Sequence, residues 1–303
     1  MSQNWNRYIK DFITYLKIEK GLSPNSIEAY QRDVEKLWTF CLDAKKEPEQ
    51  VTYPDLVQFM TVLVDLGLSA RTQARIISAL KQFFHFLIIE DITTVDPAEQ
   101  LESPKLGRKL PDVLSQPEVD TIIANVDLGK AEGERNKAII ETLYSCGLRV
   151  SELINLRFED LFFHEGFIRV IGKGNKERLV PVNPTVELYI NTYADNSRAS
   201  LPKINPDHSH IVFLNRRGSQ LTRNMIFTMI KETAILAGIS KTVSPHTFRH
   251  SFATHLLEGG ANLRAIQEML GHESITTTEI YTHLDQSMLR DAIMSFHPRN
   301  KAD

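Results

Sequence analysis

The sequence predicts a mainly α-helical protein of two domains, with a small antiparallel sheet in the second domain. Apolar residues recur at helical spacing through about the first hundred residues. Between about residues 161 and 181 the pattern changes to short runs typical of strands and tight turns. A chain of 303 residues also exceeds one ordinary domain. We therefore expect an all-α N-terminal domain at residues 1–100, a linker at 101–113 and a mixed α/β domain at 114–303.

Four helices are expected in the N-terminal domain. The first ends at Gly21, the second starts at Ser23-Pro24, the third starts at Tyr53-Pro54, and the fourth runs from about Ser69 to Ile89. A serine followed by proline is typical of a helix start, because the hydroxyl accepts a free amide and proline has no amide hydrogen to leave unpaired. Asp96-Pro97 then ends the helical pattern. Four helices in this length make a compact all-α unit.

The linker at residues 101–113 contains two prolines, one glycine and three cationic side chains, with little apolar surface to bury. Its basic character is compatible with a segment that lies against a polyanion. An ordinary solubilising linker explains the same composition equally well.

The second domain is expected to open with a helix capped at Ser115, where Glu118 completes a capping-box spacing. A helix from about Gly133 ends at Gly147, and another begins at Ser151. The later elements are three antiparallel strands within residues 161–181, a helix after Pro184, a strand-like run at His210–Leu214 and a helix at about Thr222–Ala237.

The segment from Ser244 to His283 places polar groups on short helices. Ser244-Pro245 starts a helix on which His246 and Arg249 share a face, since they are three residues apart. A second helix, about 262–270, ends at Gly271, directly before His272. Ser274 is expected to cap a third short helix that carries Tyr281.

Overall charge argues mildly against a nucleic-acid partner, because the net charge is −3 and the pI is about 6.4. Local charge matters more for such binding. Cations are clustered along the chain, and the candidate DNA-binding residues are Lys105, Arg108, Lys109, Lys176, Arg178 and Arg223. Taken singly, each cluster is more often a solvated surface.

The compartment is expected to be a reducing cytoplasm. Cys41 and Cys146 are the only cysteines, and they are far apart in the sequence. No apolar run approaches the roughly 20 residues of a membrane-spanning helix, and the N-terminus has no signal pattern.

Two arginines point to phosphate chemistry. Arg149 follows a helix stop and Arg249 lies near a helix start, positions that we expect to expose both guanidinium groups. Two such planar forks can hold a tetrahedral phosphate from both sides by bidentate hydrogen bonds.

Four further residues fit the same reaction. Glycines flank Lys173, so its ammonium is expected to reach a leaving oxygen as a general acid. His246 and His272 suit phosphate contact and proton transfer near neutral pH. Tyr281 supplies a hydroxyl nucleophile. Each residue alone is more often structural, such as a hairpin turn at Gly-Lys-Gly or a half-buried tyrosine.

A metal site is the rival interpretation of the histidines. His246 and His250 are four residues apart and His255 follows, as in some zinc sites. Thr247 replaces the glutamate of the H-E-x-x-H pattern, and His255 falls off the shared face. We therefore do not expect a zinc site at these histidines.

Several motifs together resemble the tyrosine recombinase (phage integrase) family over essentially the whole chain. They are HTFRHSFATH at 246–255, LGH at 270–272, TTTEIYTH at 276–283, YSCGLRVSEL at 144–153 and GKGNKER at 172–178. YQRDV at 30–34 and FHPR at 296–299 resemble the chromosome-dimer-resolving Xer subgroup, nearer its D-type than its C-type. All six positions of the family's active set are filled, by Arg149, Lys173, His246, Arg249, His272 and Tyr281.

The resemblance implies a helical core-binding domain and a catalytic domain that close as a C-shaped clamp on duplex DNA. It implies that Tyr281 forms a 3′-phosphotyrosyl link without metal or nucleotide cofactor. Glu152 would orient an arginine or a histidine, although a helix-capping role is equally compatible with its position. The tail from about Leu284, with an apolar stripe at residues 286–296, would reach a neighbouring subunit of a cyclic tetramer, and a DNA translocase would be a possible activator.

Three other functions remain open at this point. A mobile-element integrase would share every motif, and a type IB topoisomerase-like enzyme would share the chemistry without pairing two sites. A non-catalytic DNA-binding protein would need the basic clusters but not the complete set of six residues.

Overall fold

The computed structural model describes residues 3–105, 112–172, 176–271 and 283–300. The chain forms two compact units, residues 1–109 and 110–303. The helices are α1 (Gln3–Ile18), α2 (Pro24–Asp43), α3 (Tyr53–Asp65), α4 (Ala70–Ile89), α5 (Gln116–Ala124), α6 (Gly133–Ser145), α7 (Val150–Ile154), α8 (Pro184–Tyr193), α9 (Arg223–Leu236), α10 (Pro245–Gly259), α11 (Leu263–Leu270) and α12 (His283–Phe296). The strands are β1 (Leu161–Phe162), β2 (Phe167–Ile171) and β3 (Glu177–Pro181). The expected fold class, mainly α with a small antiparallel sheet, is confirmed.

The first unit is an all-α domain built around aromatic side chains. The rings of Trp5 and Phe83 stack with centroids 5.9 Å apart, and Phe12 meets Phe83 edge to face at 5.3 Å. The Ser23 hydroxyl accepts the Ser26 amide at the start of α2, so a hydroxyl cap begins this helix as the sequence predicts. Leu101 is buried in the same core, which extends the packed domain one residue into the segment expected to be linker.

The core of the second unit surrounds α6, which is buried from Ala138 through Ser145. Helices α8 and α10 pack against it. Apolar residues of α6 and α10, such as Leu143 and Phe248, have no exposed surface. Because the C-terminal part of α6 is buried on all sides, it is a rigid base for the turn at Gly147 that leads to Arg149.

The sheet is a three-stranded antiparallel meander in the order β1-β2-β3, as expected from the sequence. Its register pairs Leu161 with Ile168 and Arg169 with Leu179. Between β2 and β3, which form a hairpin, the sequence has residues 173–175, which lie outside the described residues.

The strand expected at His210–Leu214 is not formed, and that prediction was wrong. The segment makes only isolated bridges, although Ile211 to Leu214 are buried. Its backbone has mixed partners: the Val212 amide donates to the carbonyl of Leu156 at 2.9 Å, Arg198 donates to the carbonyl of Val212 at 3.1 Å, and the Tyr193 hydroxyl accepts the Leu214 amide at 3.1 Å. Apolar β-type residues therefore packed in the core without entering the sheet.

Helix α12 packs on its own domain, against α10, α11 and β3. Leu289 and Ile293 are buried beside Phe252. After the helix, Arg299 forms ion pairs with Glu141, at 3.0 Å, and with Asp120. The transfer of this tail to a neighbouring subunit is therefore not seen in the single chain, and it stays a prediction for the assembled complex.

Among the residues that the structure describes, none of the helices has the length and apolar character that crossing a bilayer requires.

A glycine-to-alanine comparison tests the turn that leads to Arg149. Gly147 has φ +58°, and an added Cβ would lie 2.5 Å from the Phe252 ring. Gly238 has φ +72° with no atom near an added Cβ. We expect Gly238→Ala to lower the free energy of unfolding by about 1–2 kcal/mol through backbone strain alone. Gly147→Ala should cost on the order of 1–3 kcal/mol more, because the Phe252 ring must move.

Thermal denaturation of the two full-length variants measures this difference. A melting temperature for Gly147→Ala equal to that of Gly238→Ala would show that the core absorbs the extra methyl group without cost.

Candidate active site

Arg149 is placed by a tight turn between two helices. Gly147 ends α6 in the left-handed conformation, and Arg149 occupies the N-cap position of α7. Its backbone amide donates to Oε2 of Glu152 at 2.7 Å, so the glutamate caps the helix. Its side chain is 33% exposed and donates from Nη1 to Oε1 of Glu152 at 2.8 Å. Glu152 therefore both caps the helix and orients the arginine, the two roles left open by the sequence.

Arg249 approaches the same carboxylate from α10. Its Nη1 lies 3.9 Å from Oε2 of Glu152 and donates to the carbonyl of Gly147 at 2.7 Å. Its side chain is only 11% exposed. The expectation that a position near a helix start would expose this guanidinium was wrong, because the first turns of α10 are packed against the core through Phe248 and Ser251.

Arg178 carries the third guanidinium group beside Glu152. Arg149, Arg178 and Arg249 together form the arginine cluster. It lies on β3, and its Nη1 and Nη2 donate to Oε1 and Oε2 of Glu152, each at 2.8 Å. Its Nε donates to the carbonyl of Met269 at 2.7 Å. The side chain is 6% exposed. All three bonds are internal, so Arg178 holds the protein together at this point.

The end of α11 supplies the second set of acceptors. The carbonyls of Met269, Leu270 and Gly271 accept from Arg178, Arg249 and Arg149 respectively. Carbonyls at a helix C-terminus have no partner within the helix and carry the negative end of its dipole, so guanidinium groups satisfy them well. The three arginines thus bind three consecutive residues of one short segment.

The electrostatics of the cluster leave surplus positive charge. Burial works to raise the pKa of Glu152, but hydrogen bonds and charge from Arg178 and bonds from Arg149 outweigh it and lower the pKa. Burial, and then the charge of Arg149, lower the pKa of Arg249 to about 9. Both groups are therefore ionised at neutral pH. Three guanidinium groups face one carboxylate, and an arriving phosphate anion would balance the remaining charge.

His246 lies on the first turn of α10, three residues before Arg249, and its side chain is exposed. The Ser244 hydroxyl accepts the Thr247 amide at 3.3 Å and fixes the start of this helix. The structure therefore places an accessible imidazole on the same helix as Arg249, as the spacing predicts.

Three of the six predicted catalytic residues, Lys173, His272 and Tyr281, lie outside the described residues. Their described neighbours have defined positions. The amide of Gly172 donates to the carbonyl of Lys176 at 2.8 Å. Gly271, directly before His272, has φ +62° and ends α11.

The predicted DNA-binding residues divide into three groups. Lys105, Lys176 and Arg223 are exposed in the described part of the chain. Arg108 and Lys109 lie outside it. The prediction for Arg178 was wrong, because its guanidinium is buried against Glu152 and Met269.

Alternation along the strand was the signal that could have identified Arg178 as an internal residue. Side chains two residues apart in a strand share a face, and Val180 is buried on the face of Arg178. The apolar Leu179 on the other face made the two assignments hard to separate from the sequence alone.

His255 is engaged away from the arginine cluster. Its Nδ1 lies 2.9 Å from the hydroxyl of Tyr144, and the two rings meet edge to face. Burial lowers the pKa of His255. Among the described residues, no group of three or more His, Cys, Asp or Glu side chains is arranged to hold a metal ion.

Comparison with known proteins identifies both units. The Phage integrase family model matches residues 112–288, and the model of the Phage integrase N-terminal SAM-like domain matches residues 9–91. Tyrosine recombinase XerD of Oceanobacillus iheyensis is 45% identical over 293 residues, covering 96% of this chain and 98% of the relative. Tyrosine recombinase XerD of Staphylococcus aureus strain Mu50 is 43% identical over 297 residues, with the same coverage of both chains.

Solved structures agree with this assignment. The XerH site-specific recombinase bound to a palindromic difH substrate, in a post-cleavage complex, is 25% identical with a TM-score of 0.69 and covers 88% of this chain and 79% of that chain. The Tn1549 transposon integrase in complex with circular intermediate DNA is 22% identical with a TM-score of 0.70 and covers 92% and 97% of the two chains. That second likeness concerns the fold alone. The chain therefore belongs to the phage integrase family of tyrosine recombinases, and it is similar over nearly its full length to D-type Xer enzymes.

Proposed function

We propose that this site-specific tyrosine recombinase cuts and rejoins duplex DNA with Tyr281 as nucleophile. The phenolic oxygen attacks the scissile phosphorus and forms a 3′-phosphotyrosyl bond, while the bond from phosphorus to the 5′ oxygen breaks and frees a 5′-hydroxyl. A 5′-hydroxyl of the partner duplex then reverses the reaction. The covalent link preserves the energy of the phosphodiester, so the proposal requires no nucleotide cofactor and no metal.

The observation that carries this proposal is the convergence of Arg149 and Arg249 on Glu152, at 2.8 and 3.9 Å. Two guanidinium groups held this close can neutralise charge on the non-bridging oxygens of one phosphate. Arg149 keeps a third of its side chain exposed, which leaves it accessible to DNA. We assign the cations the charge-stabilising role that metal ions have in other phosphoryl-transfer enzymes.

Proton transfer is assigned to the remaining residues. Lys173 protonates the leaving 5′ oxygen, because the flanking glycines permit a close approach to DNA. His246 and His272 contact the phosphate and take part in moving the tyrosine proton. The exposure of His246 at the start of α10 supports this assignment.

The biological role we propose is the resolution of chromosome dimers at cell division, in the bacterial cytoplasm. The similarity to relatives named XerD supports it over integration of a mobile element, since likeness to the transposon integrase concerns the fold alone. In this proposal the DNA partner carries a specific recombination site, the subunits form a cyclic tetramer, with a partner recombinase as a possible second component, and a DNA translocase is a candidate activator. Footprinting of the replication-terminus region of the host identifies the site.

The first prediction concerns the nucleophile. Tyr281→Phe removes one oxygen at nearly constant ring volume, so covalent adduct formation should be lost while DNA affinity stays nearly unchanged. The measurement uses a nicked duplex that carries the footprinted site and traps the adduct, followed by a denaturing gel. Tyr189→Phe removes the same atom from α8 and should leave the adduct yield unchanged. More than trace adduct from Tyr281→Phe would exclude this residue as the nucleophile.

The second prediction concerns the arginine pair. Arg149→Lys and Arg249→Lys keep a cation but lose the planar fork, so each should slow single-turnover cleavage by a factor on the order of 10²–10³. Arg157→Lys is the matched control, because Arg157 pairs with Glu159 on the surface. Its rate should stay within about twofold of wild type. Near wild-type rates in either member of the arginine pair would refute the phosphate clamp.

The third prediction tests the general acid. In a substrate with a 5′-bridging phosphorothiolate the leaving group is a thiolate, which needs no proton. This substrate should restore cleavage by Lys173→Ala and leave Arg149→Ala slow. Equal restoration of both variants, or of neither, would reject the role of Lys173.

A further inference from the structure

Arg178 lies within the candidate site without access to its ligand. Its side chain is 6% exposed, and all three of its guanidinium nitrogens donate to Glu152 or to the carbonyl of Met269, whereas Arg249 donates to the protein through Nη1 and Nη2. A phosphate bound by Arg149 would therefore not reach Arg178. Any effect of Arg178 on cleavage must pass through the groups that it holds.

The principal group that Arg178 holds is the carboxylate of Glu152. The two bonds from Arg178 are parallel and bidentate, the strongest geometry for this type of pair. Glu152 is 2% exposed, so its charge cannot turn to water. Without Arg178, the carboxylate would have Arg149 and Arg249 as its remaining cationic partners and would draw both towards itself.

Arg178 also joins segments that are distant in sequence. It lies on β3, binds Glu152 of α7 and binds the carbonyl of Met269 at the end of α11. Packing at this junction is close, since a Cβ on Gly271 would lie 3.2 Å from Cδ of Arg178. The carbonyls of Leu270 and Gly271, which follow Met269, accept from Arg249 and Arg149. Arg178 thus fixes both sets of acceptors that hold the two other arginines.

We propose that Arg178 is a positioning residue for DNA cleavage, acting through Glu152 to hold Arg149 and Arg249 in place for the scissile phosphate. The inference deepens the proposed function and rests on it. Arg178 therefore supports charge stabilisation by Arg149 and Arg249, and not proton donation by Lys173, because its contacts lead to those two arginines. Catalytic geometry is sensitive to small shifts, and a displacement of about 1 Å can cost about 100-fold in rate.

The test is a double-mutant cycle of Arg178→Met and Glu152→Gln, measured as single-turnover cleavage of the nicked duplex at saturating DNA. Each single variant should lower the rate constant about 10- to 100-fold. The double variant should be no slower than the slower single variant, because removing the carboxylate charge removes what Arg178 balances. Independent effects would multiply, and that result would overturn the proposal.

The matched control is a similar pair on the same hairpin. Arg169 of β2 donates to Asp160 at 2.8 Å, and Asp160 accepts the amide of Arg157, as Glu152 accepts that of Arg149. Among the hydrogen bonds and ion pairs of the described residues, none joins this pair to Arg149 or Arg249. Arg169→Met should lower the melting temperature and the fraction of active protein, with a rate constant within about twofold of wild type. A loss of rate equal to that of Arg178→Met would mean that hairpin stability alone matters.

Two further measurements separate the remaining explanations. The 5′-bridging phosphorothiolate should not restore Arg178→Met, and restoration would mean that Arg178 serves Lys173 instead. Arg178→Lys keeps one cation but cannot bond to Glu152 and Met269 at the same time, so its rate should lie between wild type and Arg178→Met. It replaces Arg178→Met if that variant does not fold.

A wild-type protein that forms no adduct would refute the proposed cleavage reaction, whereas adduct from wild type with multiplicative variant effects would refute only the positioning role.

Discussion

One buried carboxylate and the end of one short helix hold the three arginines of the candidate site. Glu152 accepts from Arg149 and Arg178 and lies 3.9 Å from Arg249. The last carbonyls of α11 accept from the same three side chains. Guanidinium groups gathered around one carboxylate would repel each other in the absence of such acceptors. The site therefore depends on a glutamate and a helix C-terminus that lie between the three arginines. Helices α6, α7 and α10 and strand β3 position the arginines around these acceptors.

Much of this could be predicted from the sequence, and the reason is local. Helix starts such as Ser115, with Glu118 three residues later, and Ser244, with Pro245, are determined by neighbouring residues and formed as expected. The antiparallel hairpins likewise follow from local pattern. The places of Arg149, His246 and Arg249 in the fold follow from the sequence, because a residue beside a glycine stop or a helix cap has a position that local pattern specifies.

The features that the sequence did not reveal depend on contacts between distant segments. Arg178 and Glu152 are 26 positions apart, and the bond from Arg178 to Met269 spans 91. Burial of Arg249 comes from the same long-range packing, which no local pattern reports. The segment 210–214 shows the reverse case, since its strand-like pattern did not produce a strand: it bonds to the backbone of residues 156 and 158 and to the side chains of Arg198 and Tyr193.

The arginine cluster also explains how a protein of net charge −3 can bind a polyanion such as DNA. Desolvating a guanidinium is unfavourable, and burial lowers the pKa of Arg249 for that reason. Removing one partner from a buried ion pair typically costs about 3–5 kcal/mol, so the arrangement is stable only while every acceptor is present. Because Glu152 offsets only part of the positive charge of the three arginines, the proposed function assigns the remaining charge to the scissile phosphate. In the proposed function, the positive charge that is costly to bury is therefore the charge that attracts the phosphodiester.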